Sequence, residues 1–411
     1  MAISQNFPEE GPTLNLNFAG GKVLDPRITF IRSSVGTYMD ANGLIVTAPA
    51  DAPRFDHRYV NGEIESLGLL VEEQRTNLIT NSEDLTATGW GLGSGGTGST
   101  PVVTANYGIS PDGTQTADRV QLNKGAGTTT SDSSTVTNSS YSTVASQPYA
   151  QSIWLKTTDG STKSVRFSFS GVSASILTVT GTWQRFSVQL SSAADTTRHF
   201  RLNLRGTFGT SDSADLLVWG AQVENGSFET SYIPTSGSTA TRNHDRAYYE
   251  NVDQTEWFNK TEGTVVFEHT DVPYNSTTST GYPAVGFGET AGGGSNPSIQ
   301  YYFTKDYGAA QYLVRRFHPG GDSANITTPG GTGSAAPASK VGFVYKADDY
   351  ALVRNGSLVG TDTSGAVPDA YMLIFGMNTI SNTGNNWNAH LKNLQYYPTR
   401  LSNTVLQNLT K

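Results

Sequence analysis

The chain contains no cysteine, which excludes disulfide bonds, thiolate metal ligands and cysteine nucleophiles. It also lacks a run of about 18 apolar residues, the length that a membrane-spanning helix needs, so we expect no membrane insertion. The opening segment MAISQNFPEEGPTLNL has neither the basic nor the apolar part of a secretory signal. The absence of cysteine is compatible with assembly in a reducing cytoplasm.

Charge is sparse, and positive charge is the scarcer sign. Lys and Arg number 27 against 35 Asp and Glu, which gives a formal net charge of -8. A nucleic-acid-binding protein needs a concentrated basic surface that neutralises phosphates, whereas the positive residues of this chain are scattered. We therefore expect no nucleic-acid partner.

The signatures of common enzymes are missing as well. The sequence has no Gly-x-Ser-x-Gly elbow, no phosphate-binding loop and no His-Glu-x-x-His pair. The six histidines are far apart in the chain. Glu268 has no second carboxylate two residues away, so the pair of carboxylates that a glycosidase uses is not apparent on its strand. We therefore expect a protein that is not an enzyme.

The sequence is rich in residues that suit short strands and turns. It contains 44 glycines and 10% aromatic residues, and Ser and Thr are abundant. Many short strands joined by polar turns have this composition. At 411 residues the chain exceeds what one hydrophobic core usually organises, so we expect an all-β protein of two or three domains.

Residues 1–79 contain short strand segments, many turns and few long apolar runs. The Asn61-Gly62 pair predicts a tight hairpin turn, because both residues readily adopt positive φ angles. A core this thin is not expected to be stable alone. We therefore interpret residues 1–79 as an anchoring and oligomerisation region that needs the next block or other subunits.

Two larger β-rich blocks follow this region. In residues 80–235 apolar and polar residues alternate in several runs, which predicts a jelly-roll sandwich; residues 91–100 are expected to form a loop within it, and 124–146 a polar insertion. Residues 236–244 are interpreted as a polar linker. Residues 245–411 are expected to form a concanavalin-like sandwich that closes with a short helix, whose N-cap is Ser402.

Several segments stand in a fixed order within residues 32–77: Arg32-Ser33-Ser34, Thr37-Tyr38, Asn42-Gly43-Leu44, Pro53-Arg54-Phe55-Asp56-His57 and Ser66-Leu67-Gly68-Leu69-Leu70-Val71-Glu72-Glu73-Gln74-Arg75-Thr76-Asn77. In this order they resemble a segment of bacteriophage virion structural proteins, which are tail-fibre-like and surface proteins. In those proteins the segment precedes carbohydrate-binding-like jelly rolls and concanavalin-like sandwiches. The resemblance supplies no catalytic motif.

Later segments carry a related resemblance. Three segments of the first block resemble the closing strands of carbohydrate-binding-module-like jelly rolls. They are Trp183-Gln184-Arg185-Phe186, Leu216 to Glu224 and Tyr232-Ile233-Pro234-Thr235. In the second block, Asp348-Asp349 with Val353 to Gly360 resembles an antiparallel pair of strands in laminin-G-like domains. The segment Tyr396 to Leu409 resembles their closing strand and terminal helix.

The resemblance implies a place on the particle surface after assembly in the host cytoplasm. It implies other virion proteins, of the capsid or the tail, as partners. Homotrimers are common among such proteins, although the motifs here do not establish that number.

Alternation in the first sandwich assigns one set of side chains to an outward face. With Ile153, Phe167 and Leu202 pointing inward, the opposite side carries several cations and one Trp, an unusual set for an acidic chain. Its members are Trp154, Lys156, Arg166, Arg185, Arg201, Asn203 and Arg205. One hypothesis is a groove for an anionic glycan of the host surface, and the alternative is a subunit interface or a solvated face.

No cofactor is expected. The acids Glu83, Asp84, Asp215 and Glu229 offer oxygen ligands for a structural Ca²⁺ ion, but their spacing forms no motif and favours ordinary surface carboxylates. Trp90, Trp257 and Trp387 are expected to be packing anchors, and Trp183 and Trp219 to be core residues.

Three functional classes remain open at this point. As a tail appendage, the protein would bind host-surface glycans through its lectin-like sandwiches, which is the function we favour. As a capsid decoration or cement protein, it would stabilise the head without a ligand. As a tailspike, it would cleave polysaccharide, which the missing catalytic motifs disfavour.

Overall fold

A computed structural model describes residues 8–169, 172–190, 198–273, 281–288, 297–306, 309–316, 325–327, 335–367, 369–377 and 387–411. The described chain is almost entirely β-structure, as expected. It divides into two compact units. Unit 1 comprises residues up to 42, 48–74 and 243–411, and unit 2 comprises residues 43–47 and 75–242.

The strands of the N-terminal half and of unit 2 are β1 (Leu14–Asn17), β2 (Ile28–Ile31), β3 (Gly36–Met39), β4 (Ile45–Ala48), β5 (Phe55–Val60), β6 (Glu63–Val71), β7 (Arg75–Asn77), β8 (Trp90–Gly95), β9 (Ser99–Gly108), β10 (Ala117–Asn123), β11 (Ser133–Asn138), β12 (Tyr149–Thr157), β13 (Lys163–Phe169), β14 (Val172–Val179), β15 (Gln184–Leu190), β16 (Phe200–Arg205), β17 (Ser213–Asn225) and β18 (Ala240–Arg242). A one-turn helix, α1 (Phe18–Gly21), follows β1.

The C-terminal strands are β19 (Arg246–Glu250), β20 (Glu262–His269), β21 (Val272–Pro273), β22 (Gly281–Gly288), β23 (Pro297–Asp306), β24 (Ala309–Arg316), β25 (Asn325–Thr327), β26 (Ala335–Ala336), β27 (Ser339–Lys346), β28 (Tyr350–Arg354), β29 (Ser357–Asp362), β30 (Met372–Phe375) and β31 (Ala389–Tyr397). Helix α2 (Asn403–Leu409) ends the chain, and a 3₁₀ turn covers Val252–Gln254. No helix among the described residues is long and apolar enough to cross a membrane.

Unit 1 is a sandwich of two antiparallel sheets. One sheet has the order β29-β28-β27-β20-β31-β6-β5, with β1 also paired to β31, and the other has the order β2-β19-β30-β22-β23-β24-β25. Their inner faces enclose one core, to which Phe267, Phe343 and Phe375 contribute fully buried side chains. Ser402 caps α2 as predicted, because its hydroxyl oxygen accepts the backbone N–H of Val405 at 3.3 Å.

The N-terminal strands do not form a region of their own, contrary to the expectation for residues 1–79. Strand β1 pairs with β31, with Leu14 opposite Tyr396, and β2 pairs with β19. Leu14 and Leu16 are buried in the core of unit 1. The sequence does not predict this pairing, because the partner strands β31 and β19 lie far along the chain and local periodicity carries no information about distant partners.

The hairpin prediction at Asn61-Gly62 is confirmed. These residues join β5 to β6 with φ angles of 52° and 88°, and the two strands pair with Val60 opposite Glu63. Positive φ at both central residues is the geometry of a two-residue hairpin turn that matches the twist of the strands.

Unit 2 is also a sandwich of two antiparallel sheets, each with five strands. We call the sheet of order β15-β12-β17-β10-β9 the Trp154 sheet and the sheet of order β14-β13-β16-β11-β8 the Arg201 sheet. Between them lie the predicted inward residues Ile153, Phe167 and Leu202, all fully buried. The all-β class and the alternation of this sandwich are therefore confirmed.

Three stretches of unit 2 are more ordered than the sequence indicated. The expected loop of residues 91–100 falls largely in β8 and β9, and the polar insertion of residues 124–146 contains β11, a central strand of the Arg201 sheet. The expected linker contains β18, which pairs with β7. These strands have few apolar side chains, so their hydrophobic pattern is too weak to predict them.

Four charged side chains of unit 1 form a buried ion network. Asp245 Oδ1 lies 3.2 Å from a terminal nitrogen of Arg32, and its Oδ2 lies 2.5 Å from one of Arg54. Arg54 also binds Glu72 at 2.8 Å. The side chains of Arg32, Arg54 and Asp245 are 0% exposed. Charges removed from water to this extent are tolerated only when they are paired and hydrogen-bonded.

A substitution in this network should cost much more than one in an exposed ion pair. Asp245→Asn keeps the shape but leaves two buried guanidiniums without that carboxylate, so we expect the free energy of unfolding to fall by about 3–5 kcal/mol. Asp25→Asn breaks the exposed Asp25–Arg27 pair and serves as the control, with an expected loss of about 1 kcal/mol or less. Denaturant unfolding of both variants measures the difference, and similar small losses would contradict the importance of the network.

Burial of His269 links the stability of unit 1 to pH. Its ring lies 5.5 Å from that of Trp387 between centroids, and its Nδ1 lies 2.7 Å from the carbonyl oxygen of Thr270. Burial lowers the pKa of His269 to about 4. The folded state therefore keeps this ring neutral at pH values where the unfolded chain, with a His pKa of about 6.5, binds a proton.

Stability should consequently fall as pH drops from about 6.5 toward about 4, by up to about 1.4 kcal/mol per pH unit from this residue. Asn cannot bind that proton, and its amide can still donate to the Thr270 carbonyl. The His269→Asn variant should therefore show a shallower slope of unfolding free energy against pH. The difference between the proteins at pH 8, where both side chains are neutral, gives the packing cost of the substitution. Equal slopes would refute the assignment.

Candidate functional site

The seven candidate site residues do not share one face. Strand β12 carries Trp154 and Lys156, and β15 carries Arg185, all in the Trp154 sheet. The other four lie in the Arg201 sheet: Arg166 on β13 and Arg201, Asn203 and Arg205 on β16. The prediction of a single face is wrong, because alternation shows which side chains point inward and not which of two sheets a strand joins.

The three candidates on the Trp154 sheet are engaged within the protein. Trp154 is only 9% exposed and packs beside Gly220, although its Nε1 has no hydrogen-bond partner among the described residues. The ammonium of Lys156 lies 5.1 Å from the centroid of the Trp183 ring. The guanidinium of Arg185 donates to the Thr230 carbonyl at 2.8 Å and to the Ser152 hydroxyl at 3.0 Å. These contacts indicate a structural role.

The remaining four side chains are gathered on the outward side of the Arg201 sheet, and we call this group the arginine face. Strand pairing places Arg166 opposite Asn203 and Ser168 opposite Arg201. The intervening residues Leu202 and Leu204 point into the core. Burial of the alternating leucines forces the polar residues of β16 to the opposite side of the sheet.

The guanidiniums of the arginine face contact neutral groups. Arg166 donates to the Ser168 hydroxyl at 3.2 Å and stacks on the Phe208 ring, with 4.9 Å between its Cζ and the ring centroid. Arg205 Nε donates to the Thr130 carbonyl at 2.6 Å. Within the part of the chain that the structure describes, no carboxylate lies within 4 Å of Arg166, Arg201 or Arg205.

The like charges of this face act on one another. Burial, followed by the charge of Arg205, lowers the pKa of Arg201. Burial, followed by the charges of Arg205 and Arg201, lowers the pKa of Arg166. Guanidinium groups nevertheless stay protonated at neutral pH, so the face carries positive charge that the described residues do not balance.

Asn203 lies among these arginines and is 1% exposed. Neither its Oδ1 nor its Nδ2 has a hydrogen-bond partner among the described residues. Buried side-chain polar atoms in folded proteins are bonded in the large majority of cases. An amide with both functions unused, beside three cations, provides a donor and an acceptor for a polar ligand.

Phe208 was not singled out from the sequence. It follows β16 in a tight turn and is 40% exposed, while its ring contacts the guanidinium of Arg166. An exposed ring beside polar groups can stack on the apolar face of a sugar. The neighbouring Gly206, with a φ of 53°, marks the turn but does not identify the ring as exposed.

The other tryptophans are mostly packing residues, as expected. Trp90 donates from Nε1 to the Asn81 carbonyl at 2.8 Å and packs edge-on against Phe200, while Trp219, Trp257 and Trp387 are buried. Trp183 is half-buried and lies outside the core clusters, so its assignment as a core residue is wrong. It precedes β15 and bonds the Ile109 carbonyl at 3.1 Å.

The acids considered for Ca²⁺ do not assemble. Glu83 accepts the Tyr232 hydroxyl at 2.8 Å, Asp215 pairs with Arg119, and Glu229 accepts a hydrogen bond from Gln189 at 3.2 Å. Asp84 accepts the hydroxyl and the backbone N–H of Thr86. Among the described residues, no group of three His, Asp or Glu side chains could hold a metal ion.

In unit 1, Asp56, His390 and Thr270 are connected in the order of acid, histidine and hydroxyl that a hydrolase triad has. His390 Nε2 lies 2.9 Å from Asp56 Oδ2, and its Nδ1 lies 3.1 Å from Thr270 Oγ1. The same hydroxyl accepts the backbone N–H of His390 at 3.0 Å and belongs to a buried residue. The arrangement therefore ties β5 to β31 and the segment after β20. Of the six histidines in the sequence, His318 lies outside the residues that the structure describes.

No protein-family profile matches the chain, and no curated protein matches it. Among solved structures, the CBM40 domain of the Ruminococcus gnavus IT-sialidase, bound to α2,3-sialyllactose, is similar over 37% of this chain and 84% of that chain, with 17% identity and a TM-score of 0.30.

Two longer proteins are similar over a comparable part of the chain. The leech intramolecular trans-sialidase, complexed with 2,7-anhydro-Neu5Ac, is 17% identical over 40% of this chain, with a TM-score of 0.30. A Trypanosoma rangeli sialidase mutant with trans-sialidase activity is 13% identical over 41%, with a TM-score of 0.29. The matches span 26% and 27% of those two chains. Likenesses of this extent carry no argument about function.

Proposed function

We propose that this chain is a non-enzymatic carbohydrate-binding protein whose arginine face binds an anionic glycan. The observation that carries the proposal is the group of three guanidiniums around Asn203, with no carboxylate within 4 Å in the described chain and with both amide functions of Asn203 unused by the described residues. A buried amide without hydrogen bonds costs free energy, which a bound ligand would recover by bonding to it.

The chemistry of the face fits an acidic sugar better than a neutral one. A guanidinium presents parallel N–H donors that match a carboxylate and form charge-assisted hydrogen bonds. The Asn203 amide can donate to one hydroxyl and accept from another. The exposed ring of Phe208 offers an apolar surface on which a pyranose ring can stack.

The biological setting is the second part of the proposal. The segment resemblance within residues 32–77 supports a bacteriophage virion protein that is assembled in the host cytoplasm and displayed on the particle. In that setting the arginine face would attach the particle to acidic host-surface polysaccharide. Other virion proteins would be partners, and a homo-oligomer, with three copies as the first arrangement to test, would raise the binding strength through multivalency.

The binding site can be tested by removing two charges from each sheet in turn. Arg201→Ala with Arg205→Ala should weaken binding of carboxylated oligosaccharides about 100-fold, because charge-assisted hydrogen bonds are lost. Lys156→Ala with Arg185→Ala removes the same charge from the Trp154 sheet and should have little effect. Isothermal titration calorimetry against sialylated, uronic-acid and matched neutral oligosaccharides measures both. Equal losses in the two variants would indicate unspecific electrostatics and overturn the site.

The virion setting can be tested separately with gold-labelled antibody against residues 75–242 on intact particles of the source phage. Label on the tail is the expected result, since attachment begins there. Label confined to the head would favour a capsid decoration protein. Particles that contain no such protein would refute the virion assignment while leaving the calorimetric result intact.

A further inference from the structure

We propose that the binding surface extends from the arginine face across β11 to β8 and holds several units of a glycan chain. This inference rests on the proposed function and specifies its ligand: an extended anionic polysaccharide segment and not a single terminal sugar. The surface comprises outward residues of three adjacent strands of the Arg201 sheet, and we call it the extended platform.

Strand register defines the extended platform in three rows. Strand β11 pairs with β16 on one side and β8 on the other, which places Asn203, Thr135 and Gly93 in one row. The flanking rows are Arg205, Ser133 and Gly95, and Arg201, Thr137 and Gly91. The outward side chains therefore shorten from Arg and Asn through Ser and Thr to Gly, over about 10 Å across the strands.

The fold does not require two of these glycines. Neither Gly91 nor Gly93 has a positive φ, a Cβ at residue 91 would meet only the Thr137 carbonyl oxygen at 3.9 Å, and at residue 93 it would meet nothing within 4 Å. Gly95 differs, since a Cβ there would lie 2.5 Å from the Ser131 carbonyl oxygen. Glycine weakens a strand and often marks a place where a ligand or another backbone approaches closely.

An independent observation in the same row points to a ligand. Asn203 is 1% exposed and projects to the outward side, and both its amide atoms lack partners among the described residues. Only the short side chain of Thr135 separates it from the bare backbone at Gly93. A chain that binds the Asn203 amide and the flanking guanidiniums can therefore continue over Thr135 and lie directly on β8.

The loop before β11 borders the Gly95 end of the extended platform. The carboxylate of Asp132 accepts hydrogen bonds from the backbone N–H groups of Thr97 and Thr129, each at 2.8 Å, and from the Thr129 hydroxyl at 2.7 Å. The loop held in this way presents the Thr130 carbonyl to Arg205 at 2.6 Å. One end of the surface is thus fixed, and Arg205 is oriented before a ligand binds.

A polysaccharide suits this geometry better than an added peptide strand. Strand β8 is the edge of the Arg201 sheet, and a peptide would pair with that edge in the plane of the sheet. The missing side chains and the Asn203 amide instead face away from the plane. The ligand must therefore lie on top of the sheet, where ring stacking and hydroxyl hydrogen bonds replace strand pairing.

The test is Gly93→Thr, which adds a strand-favouring side chain into open space and should not lower the midpoint of thermal unfolding. The probes are galacturonic acid and sialic acid, each as monomer and as hexamer. We expect the unmodified protein to bind the hexamer of the matching sugar at least about tenfold more tightly than its monomer. Gly93→Thr should remove that gain and leave monomer binding unchanged. Ala174→Thr, on the opposite edge strand β14 at an exposed position, is the matched control.

The outcomes separate this inference from the proposed function. If hexamer and monomer bind equally, or if Gly93→Thr still gains from chain length, the extended platform is refuted while the arginine face stands. If neither sugar binds in any length, both proposals fail. If hexamer binding is lost in Gly93→Thr and kept in Ala174→Thr, the extended platform is supported.

Discussion

The core of unit 1 depends on Asp245, which connects the chain segments that precede and follow the insertion of unit 2. Its carboxylate binds two buried guanidiniums and accepts the backbone N–H of Glu72 at 2.9 Å, while its own N–H donates to the Glu72 carbonyl at 2.9 Å. Residues 75–242, which belong to unit 2, are inserted in the chain between Glu72 and Asp245. The backbone pair and the ion network therefore join the two ends of an insertion, so that the strands before and after it can share one core.

The ion network also gives the segment resemblance a physical meaning. Arg32, Arg54 and Glu72 all lie in the segments that resemble phage proteins, and each contacts Asp245, which lies outside them. Loss of one partner would leave buried charges uncompensated. Arg32, Arg54 and Glu72 within these segments therefore have a role in folding.

Local sequence signals predicted what is local in this structure. Alternation identified Ile153, Phe167 and Leu202 as inward residues, and Asn61-Gly62 identified a hairpin. The sheet to which a strand belongs depends on distant partners, so Trp154 and Arg166 were wrongly assigned to one face although their strands follow each other in the chain. The sequence does not predict strand β8, because its glycines form no hydrophobic pattern. The lack of side chains at those glycines is also what makes β8 the most informative strand of the extended platform.

The ion network of unit 1 and the arginine face of unit 2 treat arginine in opposite ways. In unit 1, Arg32 and Arg54 are paired with carboxylates inside the protein. In unit 2, burial and mutual repulsion lower the pKa of Arg166 and Arg201, and the described chain brings no carboxylate within 4 Å of them. Carboxylates are not scarce, since Asp and Glu outnumber Lys and Arg by 35 to 27. An anionic ligand would therefore do for the arginine face what Asp245 does for unit 1, with the difference that the ligand can leave.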